Sequence, residues 1–316
     1  MTLVAAIDCG TNSLRLLIAQ TGDAEPGFVE LLRRVEIVRL GQGVDRTGRL
    51  ADEALRRADL ALAGFAEDLV EHRVELVRAV ATSAMRDAEN SADFLAMVRS
   101  RLGIEPEIVG GEDEARLAFR GAVHEIAGDR VFPTPHCVLD VGGGSTELIW
   151  GNSGSDIGMD LAAAVSMNVG AVRLSERYLA GEDPPTAVGL AAARRDVAAA
   201  LDGIGPLPEV GTLIGVAGSV NTVAAVSLGL TEYRPELLHH VRLRAESVTE
   251  VAEQLAAQSH RERASNPAIH SGRVDVIVAG ALIVDEVIRR LGCDELIVSE
   301  HDILHGIAYR ALDGDA

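Results

Sequence analysis

Short apolar runs alternate with longer stretches of helical periodicity along the whole chain. Runs such as Leu3–Ile7 and Leu76–Thr82 are too short for a helix and predict buried strands. Between them, Asp52–Val70 carries its large apolar residues at helical spacing, which predicts an amphipathic helix. Strands that alternate with helices in this way are typical of α/β domains with mixed sheets.

One stretch, Val138–Ile149, combines a strand pattern with a concentration of polar groups. Its sequence VLDVGGGSTELI passes from an apolar segment to Asp140, crosses three glycines, and reaches Ser145, Thr146 and Glu147 before apolar residues resume. This order predicts a hairpin whose tip presents backbone N–H groups and small hydroxyls, free to approach an anion or to adopt positive φ. A carboxylate on each side suits a divalent cation that bridges to phosphate. The alternative is a plain turn between solvated acids, but such a turn needs only one or two glycines.

A similar stretch lies 132 residues earlier, at the N-terminus. Asp8 follows the first apolar run, a polar glycine turn comes next, and a second apolar run contains Arg15. Two acid–glycine–hydroxyl hairpins predict a duplicated pair of domains, and we expect their tips to face each other across a cleft. The turn-rich segment 127–135 marks the boundary, so the predicted domains are 1–126 and 127–316.

Four further residues are candidates for the site. Arg86 follows a predicted strand, at the edge where α/β proteins bind ligands. Glu114 lies in the first turn of a predicted helix, where the helix dipole alone favours an acid, although it could equally accept a proton from water. Gly218 and Ser219 open a helix after another strand, so they could hold a phosphate or ribose or simply cap that helix.

The composition narrows the classes of function. The 316 residues carry a net charge of −19, and all 29 basic residues are arginine. That charge disfavours binding to nucleic acid or to an anionic membrane, and the absence of lysine excludes a Walker A loop. The three cysteines (Cys9, Cys137, Cys293) lie far apart and predict buried free thiols in a reducing cytoplasm. No signal peptide or membrane span is predicted.

The motifs DCGTNSLRLL, ATSAMRDAEN, GGEDEARLAF, VLDVGGGSTELI and GVAGSVNT occur in an order that resembles the exopolyphosphatase/guanosine pentaphosphate phosphohydrolase (Ppx/GppA) family. The resemblance covers nearly the whole chain. It implies two ribonuclease-H-like domains of the actin-like ATPase superfamily, with mixed sheets around a central cleft. It also implies Mg²⁺-dependent hydrolysis of the terminal phosphate of inorganic polyphosphate or of guanosine pentaphosphate, with Mn²⁺ as an alternative cation. A cytoplasmic homodimer is expected.

The resemblance also implies roles for the matching residues. Glu114 matches the general base for the attacking water, and Arg86 matches a phosphate contact, to which we add Arg15 as a second donor. Asp140 and Glu147 match acids that position metal and water, and we add Asp8 as a further metal ligand. Gly218 and Ser219 match the corner where nucleotide binders of the superfamily hold adenosine. The two phosphate loops would comprise Asp8, Gly10, Thr11, Asn12 and Ser13, and Gly142, Gly143, Gly144, Ser145 and Thr146.

Two departures from the family pattern bear on the substrate. Longer relatives carry additional C-terminal domains, whereas this chain resembles only the two-domain core, which favours short polyphosphates. Many relatives also have glycine-leucine-arginine-glutamate-glycine where this chain has Asp302–Gly306, so the role of His305 stays open. The alternatives are a guanosine pentaphosphate phosphohydrolase, a sugar kinase, and a non-catalytic actin-like nucleotide-binding scaffold.

Overall fold

The computed structural model describes residues 2–21, 28–127, 129–153 and 159–313. The chain divides into two compact units. Unit 1 comprises Met1–Glu125 together with His301–Ala316, and unit 2 comprises Ile126–Glu300. The first boundary therefore lies within a residue of the predicted one.

Unit 1 is built on a five-stranded mixed sheet. Its elements before the boundary are β1 (Leu3–Cys9), β2 (Ser13–Thr21), β3 (Phe28–Ile37), β4 (Leu76–Ala81), β5 (Glu107–Ile108), α1 (Val44–Thr47), α2 (Asp52–Glu71), α3 (Ser83–Asp87), α4 (Ser91–Leu102) and α5 (Gly111–Val123). The strand order is β3-β2-β1-β4-β5. The pairs β1–β2 and β2–β3 are antiparallel, whereas β4 runs parallel to β1 and to β5.

Unit 2 is built on a six-stranded mixed sheet, after which the chain returns to unit 1 with one last helix. The elements are β6 (His136–Val141), β7 (Thr146–Ser153), β8 (Met159–Met167), β9 (Thr212–Val216), β10 (Arg242–Arg244), β11 (Glu295–Val298), α6 (Ala171–Leu174), α7 (Ala187–Asp202), α8 (Ala217–Ser227), α9 (Pro235–Leu238), α10 (Ala245–Ala257), α11 (His260–Ala264), α12 (Ile277–Leu291) and finally α13 (Ile303–Leu312). A π-helical turn follows α6 at Ser175–Leu179, and a 3₁₀ turn covers Ser271–Arg273.

The two sheets share one topology. In unit 2 the order is β10-β11-β9-β6-β7-β8. Read from its other edge, this sheet places β8, β7 and β6 where unit 1 has β3, β2 and β1, and β9 where unit 1 has β4. The fourth strand of each unit again runs parallel to the first. This duplicated ribonuclease-H-like order confirms the predicted fold class of two α/β domains with mixed sheets.

The central strand of unit 1 is buried on both faces because its side chains alternate between two clusters. Ala5, Ile7 and Cys9 pack with buried residues of α2 and α4, whereas Val4 and Ala6 pack with buried residues of α5 and α13. Cys9 is therefore a buried free thiol, as predicted.

The C-terminal helix corrects the predicted domain division. The prediction assigned everything after residue 126 to the second domain, but residues 301–316 belong to unit 1. The physical reason is that Ile303, Leu304, Ile307 and Ala308 of α13 are buried in the same apolar cluster as β1 and α5. Local periodicity predicts such a helix but does not show which core it covers.

The apolar helix α12 is a core element of unit 2, in which almost every residue from Ile277 to Ile288 is buried. It lies among α7, α8 and α10. Its apolar character thus reflects burial within the unit. Within the described ranges, no helix combines the length and the apolar composition needed to cross a bilayer.

Candidate active site

The two predicted hairpins are present and equivalent in backbone detail. In the first, Asp8 lies opposite Arg15 across β1 and β2, and the N–H of Gly10 donates to the carbonyl of Ser13 over 3.0 Å. In the second, Asp140 lies opposite Glu147 across β6 and β7, and an equivalent 3.0 Å bond joins Gly142 and Ser145. The structure therefore contains both of the predicted acid–glycine–hydroxyl turns, each at the tip of a hairpin.

The second turn is held so that its amide groups point away from α6. The carbonyl of Gly142 accepts from the N–H of Ala171 over 2.9 Å, and that of Gly143 accepts from Val172 over 2.8 Å. The Nε of Arg173 donates to the carbonyl of Gly144 over 2.8 Å. In a planar trans peptide the N–H points opposite to the C=O. The N–H groups of residues 143–145 are therefore directed away from the helix, as an anion-binding turn requires.

The glycines of this turn serve close packing. Positive φ, the other backbone use that glycine allows, does not occur at Gly142, Gly143 or Gly144. Instead, the loop backbone lies against Gly170. A Cβ atom built on Gly170 would lie 2.5 Å from the carbonyl oxygen of Gly143, and just as close to the carbonyl carbon of Gly144. The sequence analysis did not identify Gly170 as a site residue.

The substitution Gly170→Ala is expected to lower kcat by about 10²-fold, because the added methyl group must displace the turn and a shift of about 1 Å is enough for such a loss. Steady-state phosphate release measures this. A suitable control is Gly203→Ala at the end of α7, where the nearest atom to a built Cβ is 3.3 Å away. A Gly170→Ala variant with the control's rate would show that the turn position is unimportant.

Both acids of the second hairpin are buried. Asp140 is 7% exposed and Glu147 is 1% exposed. Ser166, the residue of β8 that lies opposite Glu147, donates from its hydroxyl to Glu147 Oε1 over 2.6 Å. Thr146 donates its hydroxyl proton to the carbonyl of Val169 over 2.6 Å, so its side chain secures the strand end. Ser166 was not predicted, because only strand register brings it to Glu147.

In the first hairpin, Arg15 joins two carboxylates. Its Nε donates to Asp8 Oδ2 over 2.8 Å, and its Nη1 contacts Asp302 at the start of α13. Burial would raise the pKa of Asp302, but Arg15, Arg33 and His305 together outweigh burial and lower it. Burial raises the pKa of Asp8, with Arg15 opposing that change. Arg15 is therefore held by two acids and lies directly beside the first turn.

His305, whose role was open, is a structural residue. It is fully buried, and its Nε2 lies 2.7 Å from Glu30 Oε1 on β3. Its Nδ1 accepts from the N–H of Asp302 over 3.4 Å, which completes a capping box at the start of α13. His305 thus ties α13 to the edge of the sheet and fixes the position of Asp302.

Glu114 lies in the first turn of α5 and is buried, with 8% of its surface exposed. Arg86, on α3, donates from Nη1 to Glu114 Oε2 over 2.7 Å and to the carbonyl of Val109 over 2.8 Å. Burial raises the pKa of Glu114 to about 7; Arg86 opposes this rise, and the nearby charge of Asp8 reinforces it. A carboxyl group with this pKa can exchange protons near neutral pH, as a general base must.

A hydroxyl pair links the first turn to the helix that carries Arg86. Thr11 Oγ1 and Ser83 Oγ are 2.8 Å apart and both side chains are buried. Ser83 is the first residue of α3. Glu114, Arg86 and the first turn are thereby connected within unit 1.

The first hairpin offers oxygen atoms that fit a divalent cation. Asp8 Oδ1 and Asn12 Oδ1 are buried, and no hydrogen-bond partner for either is found among the described residues. A buried carboxylate oxygen without a partner is costly, and Mg²⁺ prefers hard oxygen ligands. Asp140 and Glu147 provide a second pair of carboxylates in unit 2. The donor set of each hairpin therefore suits the expected metal, while its binding stays a proposal.

Gly218 and Ser219 have packing roles in unit 2. The guanidinium of Arg273 lies on Gly218, with its carbon 2.1 Å from a built Cβ, and Arg273 Nη1 donates to the Gly218 carbonyl over 3.0 Å. Ser219 packs against α12, where a Cβ on Gly280 would lie 2.5 Å from its Oγ. An arginine side chain therefore lies at the predicted adenosine corner, and the part of Gly218 and Ser219 in substrate binding stays a prediction.

The structure therefore gathers the predicted residues in two groups. Unit 1 brings together Asp8, Arg15, Arg86 and Glu114, and unit 2 brings the glycine turn together with Asp140 and Glu147. The site residues that were not predicted are Ser83, Ser166, Gly170 and Asp302. A usable signal existed for two of them: Ser83 lies in the motif that carries Arg86, and Asp302 is an acid that follows the last strand at the start of a helix.

Two ribonuclease-H-like units, each with an acid–glycine–hydroxyl hairpin between its first two strands, define a class of two-domain phosphate-binding proteins. The chain belongs to the Ppx/GppA phosphatase family, whose model matches residues 17–314. The resemblance stated from the motifs is thereby confirmed.

Individual relatives match over almost the full chain. Exopolyphosphatase 2 of Mycobacterium tuberculosis is 43% identical, covering 98% of this chain and 98% of its own length. The crystal structure of an exopolyphosphatase-like protein is 39% identical with a TM-score of 0.91, covering 98% of each chain. The Ppx/GppA family member of Aquifex aeolicus is 29% identical with a TM-score of 0.80, covering 100% of this chain and 99% of that chain.

Proposed function

We propose that this protein is an exopolyphosphatase, which hydrolyses the terminal phosphate of inorganic polyphosphate. The observation that carries the proposal is Glu114, a buried carboxyl group with a pKa of about 7, held by Arg86 in the unit that contains the first phosphate turn. Transfer of phosphate to water requires a base of this kind, whereas a scaffold that only binds nucleotide does not. The 43% identity to a protein named exopolyphosphatase supports the same choice of substrate.

Each group of residues has a separate task in this reaction. The amide groups of residues 143–145 bind phosphate oxygens, and Arg15 and Arg86 add positive charge near the first turn. Glu114 orients a water molecule and takes its proton as the water oxygen attacks the terminal phosphorus in line, while the bond from that phosphorus to the bridging oxygen breaks and the shortened polyphosphate leaves. Asp8, Asp140 and Glu147 would hold Mg²⁺, which would supply positive charge against the phosphate oxygens.

The remaining expectations stay predictions. These are the preference for short polyphosphates, the choice of Mg²⁺ over Mn²⁺, the homodimer and the cytoplasmic location. Chain-length preference can be measured directly, by comparing kcat/KM for short and long polyphosphates. A strong preference for long chains would overturn the short-chain proposal.

The function is tested by phosphate release from defined-length polyphosphates and from guanosine pentaphosphate, with Mg²⁺ and without any sugar acceptor. We expect release from polyphosphate, with the higher kcat/KM for that substrate. Faster release from guanosine pentaphosphate would establish the alternative hydrolase. Transfer of phosphate to an added sugar, with no release to water in its absence, would indicate a kinase. The absence of turnover, together with sedimenting filaments, would indicate a scaffold.

A further inference from the structure

Unit 1 contains a cavity of about 770 Å³ that the proposed active site does not use. Four of its lining residues are arginines (Arg39, Arg46, Arg49 and Arg57), and one, Glu53, is acidic. The chain as a whole has a net charge of −19. An excess of positive charge in one concave surface of an acidic protein is typical of an anion-binding site.

The cavity wall is fixed directly to the first phosphate turn. The segment that follows β3 donates from the N–H of Arg39 to the carbonyl of Asn12 over 2.8 Å, and from Gly41 to that of Thr11 over 2.7 Å. The contact is so close that a Cβ on Gly41 would lie 2.2 Å from Thr11 Cγ2. Arg39 itself has a φ of 51°, a left-handed conformation that is uncommon for arginine. Arg39 of the cavity wall is therefore tied through its backbone to the first phosphate turn.

Two of the four arginines in the cavity, Arg46 and Arg49, are the ones available to a ligand. Arg46 is exposed, and the part of the chain that the structure describes offers it no ion-pair partner. Arg49 lies 3.8 Å from Glu89, and both side chains are exposed, so that pair is weak. The acid of the cavity, Glu53, lies 3.8 Å from Arg57 of the lining and also pairs with an arginine outside it.

We propose that this arginine cavity binds the phosphates that follow the terminal one in a polyphosphate chain. Guanidinium groups bind phosphate oxygens in a bidentate fork, and successive phosphates present the same chemistry at each position. The cavity would thus hold the part of the chain that leaves after hydrolysis and would set the shortest substrate that binds well. This inference rests on the proposed function. The diphosphate at the 3′ end of guanosine pentaphosphate offers similar chemistry, and the experiment separates the two.

The double variant Arg46→Gln/Arg49→Gln tests the proposal. We expect the KM for a polyphosphate long enough to fill the cavity to rise about tenfold, with the loss appearing in KM rather than in kcat, because two charge-assisted contacts with phosphate are removed. The KM for tripolyphosphate should rise much less. Arg99→Gln is the matched control, since Arg99 is an exposed arginine of α4 that pairs with Glu105 and does not line the cavity.

A binding measurement makes the result independent of turnover. Calorimetric titration of polyphosphate into Glu114→Gln protein, with and without the two arginine substitutions, should show weaker binding and a smaller dependence on salt for the combined variant. Equal affinity would overturn the proposal, as would a KM that rises for guanosine pentaphosphate but not for polyphosphate. If the native protein releases no phosphate from polyphosphate, the proposed function fails, while the titration still shows whether the cavity binds the polymer.

Discussion

Glu114→Gln is expected to lower kcat by about 10²–10⁴-fold while leaving KM nearly unchanged, because general-base catalysis contributes about that much. Glutamine has the shape of glutamate and keeps an oxygen that can accept from Arg86, but it does not take a proton at neutral pH. The ion pair with Arg86 becomes a neutral hydrogen bond at the same place. Steady-state phosphate release from polyphosphate over a range of substrate concentrations measures both constants.

Glu112→Gln is the matched control for this variant. Glu112 lies in the same helical turn but is exposed and pairs with Arg116 over 2.7 Å. Its replacement removes one charge from the same region without touching the buried carboxyl. A Glu114→Gln enzyme that works as fast as this control would refute the assignment of the base.

The pH profile of the native enzyme provides a second readout for Glu114. The base acts only when ionised, so kcat/KM should rise as the pH passes through about 7 and then level off. The Glu114→Gln profile should lack this rise.

The raised pKa of Glu114 has the opposite effect on stability, which should decrease with rising pH. The folded protein keeps this proton up to a pH of about 7, whereas the unfolded chain loses it near 4.5. The free energy of unfolding therefore decreases as the pH rises from about 4.5 to about 7.

Removal of divalent cations is expected to lower the rate on the order of 10³-fold or more, since metal ions stabilise such reactions by several kcal/mol. The chain has a net charge of −19, and the two turns that we propose to bind phosphate carry Asp8 in unit 1 and Asp140 and Glu147 in unit 2. Carboxylates and a polyphosphate repel each other unless a cation lies between them. Phosphate release measured with excess EDTA, and again after Mg²⁺ is restored, tests this expectation.

The substitution Asp8→Asn tests whether Asp8 contributes to metal binding. Asp8 Oδ1 is buried, and the described residues provide no hydrogen bond to it. The substitution should raise the Mg²⁺ concentration for half-maximal rate, whereas Asp93→Asn, an exposed change on α4, should not. A melting curve checks that loss of the Arg15 ion pair leaves the fold intact. Full activity of the native enzyme in EDTA would overturn the metal requirement.

Local sequence order was sufficient to predict both hairpins. An acid, a glycine, a hydroxyl residue and a resumed apolar run are all found within ten residues, so turn geometry alone places Asp140 opposite Glu147. Strand and helix alternation likewise predicted the two mixed sheets. Glu114 needed the family resemblance, because an acid in a first helical turn is favoured by the helix dipole whether or not it has a catalytic role.

The residues that escaped prediction depend on contacts between distant parts of the chain. Ser166 reaches Glu147 only through the pairing of β7 with β8, and Asp302 reaches Arg15 across 287 positions of sequence. Gly170 is required only because the backbone of Gly143 lies against it. The contacts of Ser166 and Gly170 leave no periodic or compositional trace in a single sequence, and an acid at the start of a helix does not reveal that Asp302 reaches Arg15.

The return of α13 to unit 1 has a consequence for the order in which the protein folds during synthesis. The side of the first sheet that lies under α5 lacks Ile303, Leu304, Ile307 and Ala308 until α13 has left the ribosome. Unit 2 is continuous from Ile126 to Glu300 and is complete before then. The unit whose translation begins first is therefore the last to close its core. Because Asp302 arrives with that helix, Arg15 acquires its second carboxylate only after unit 2 has been translated.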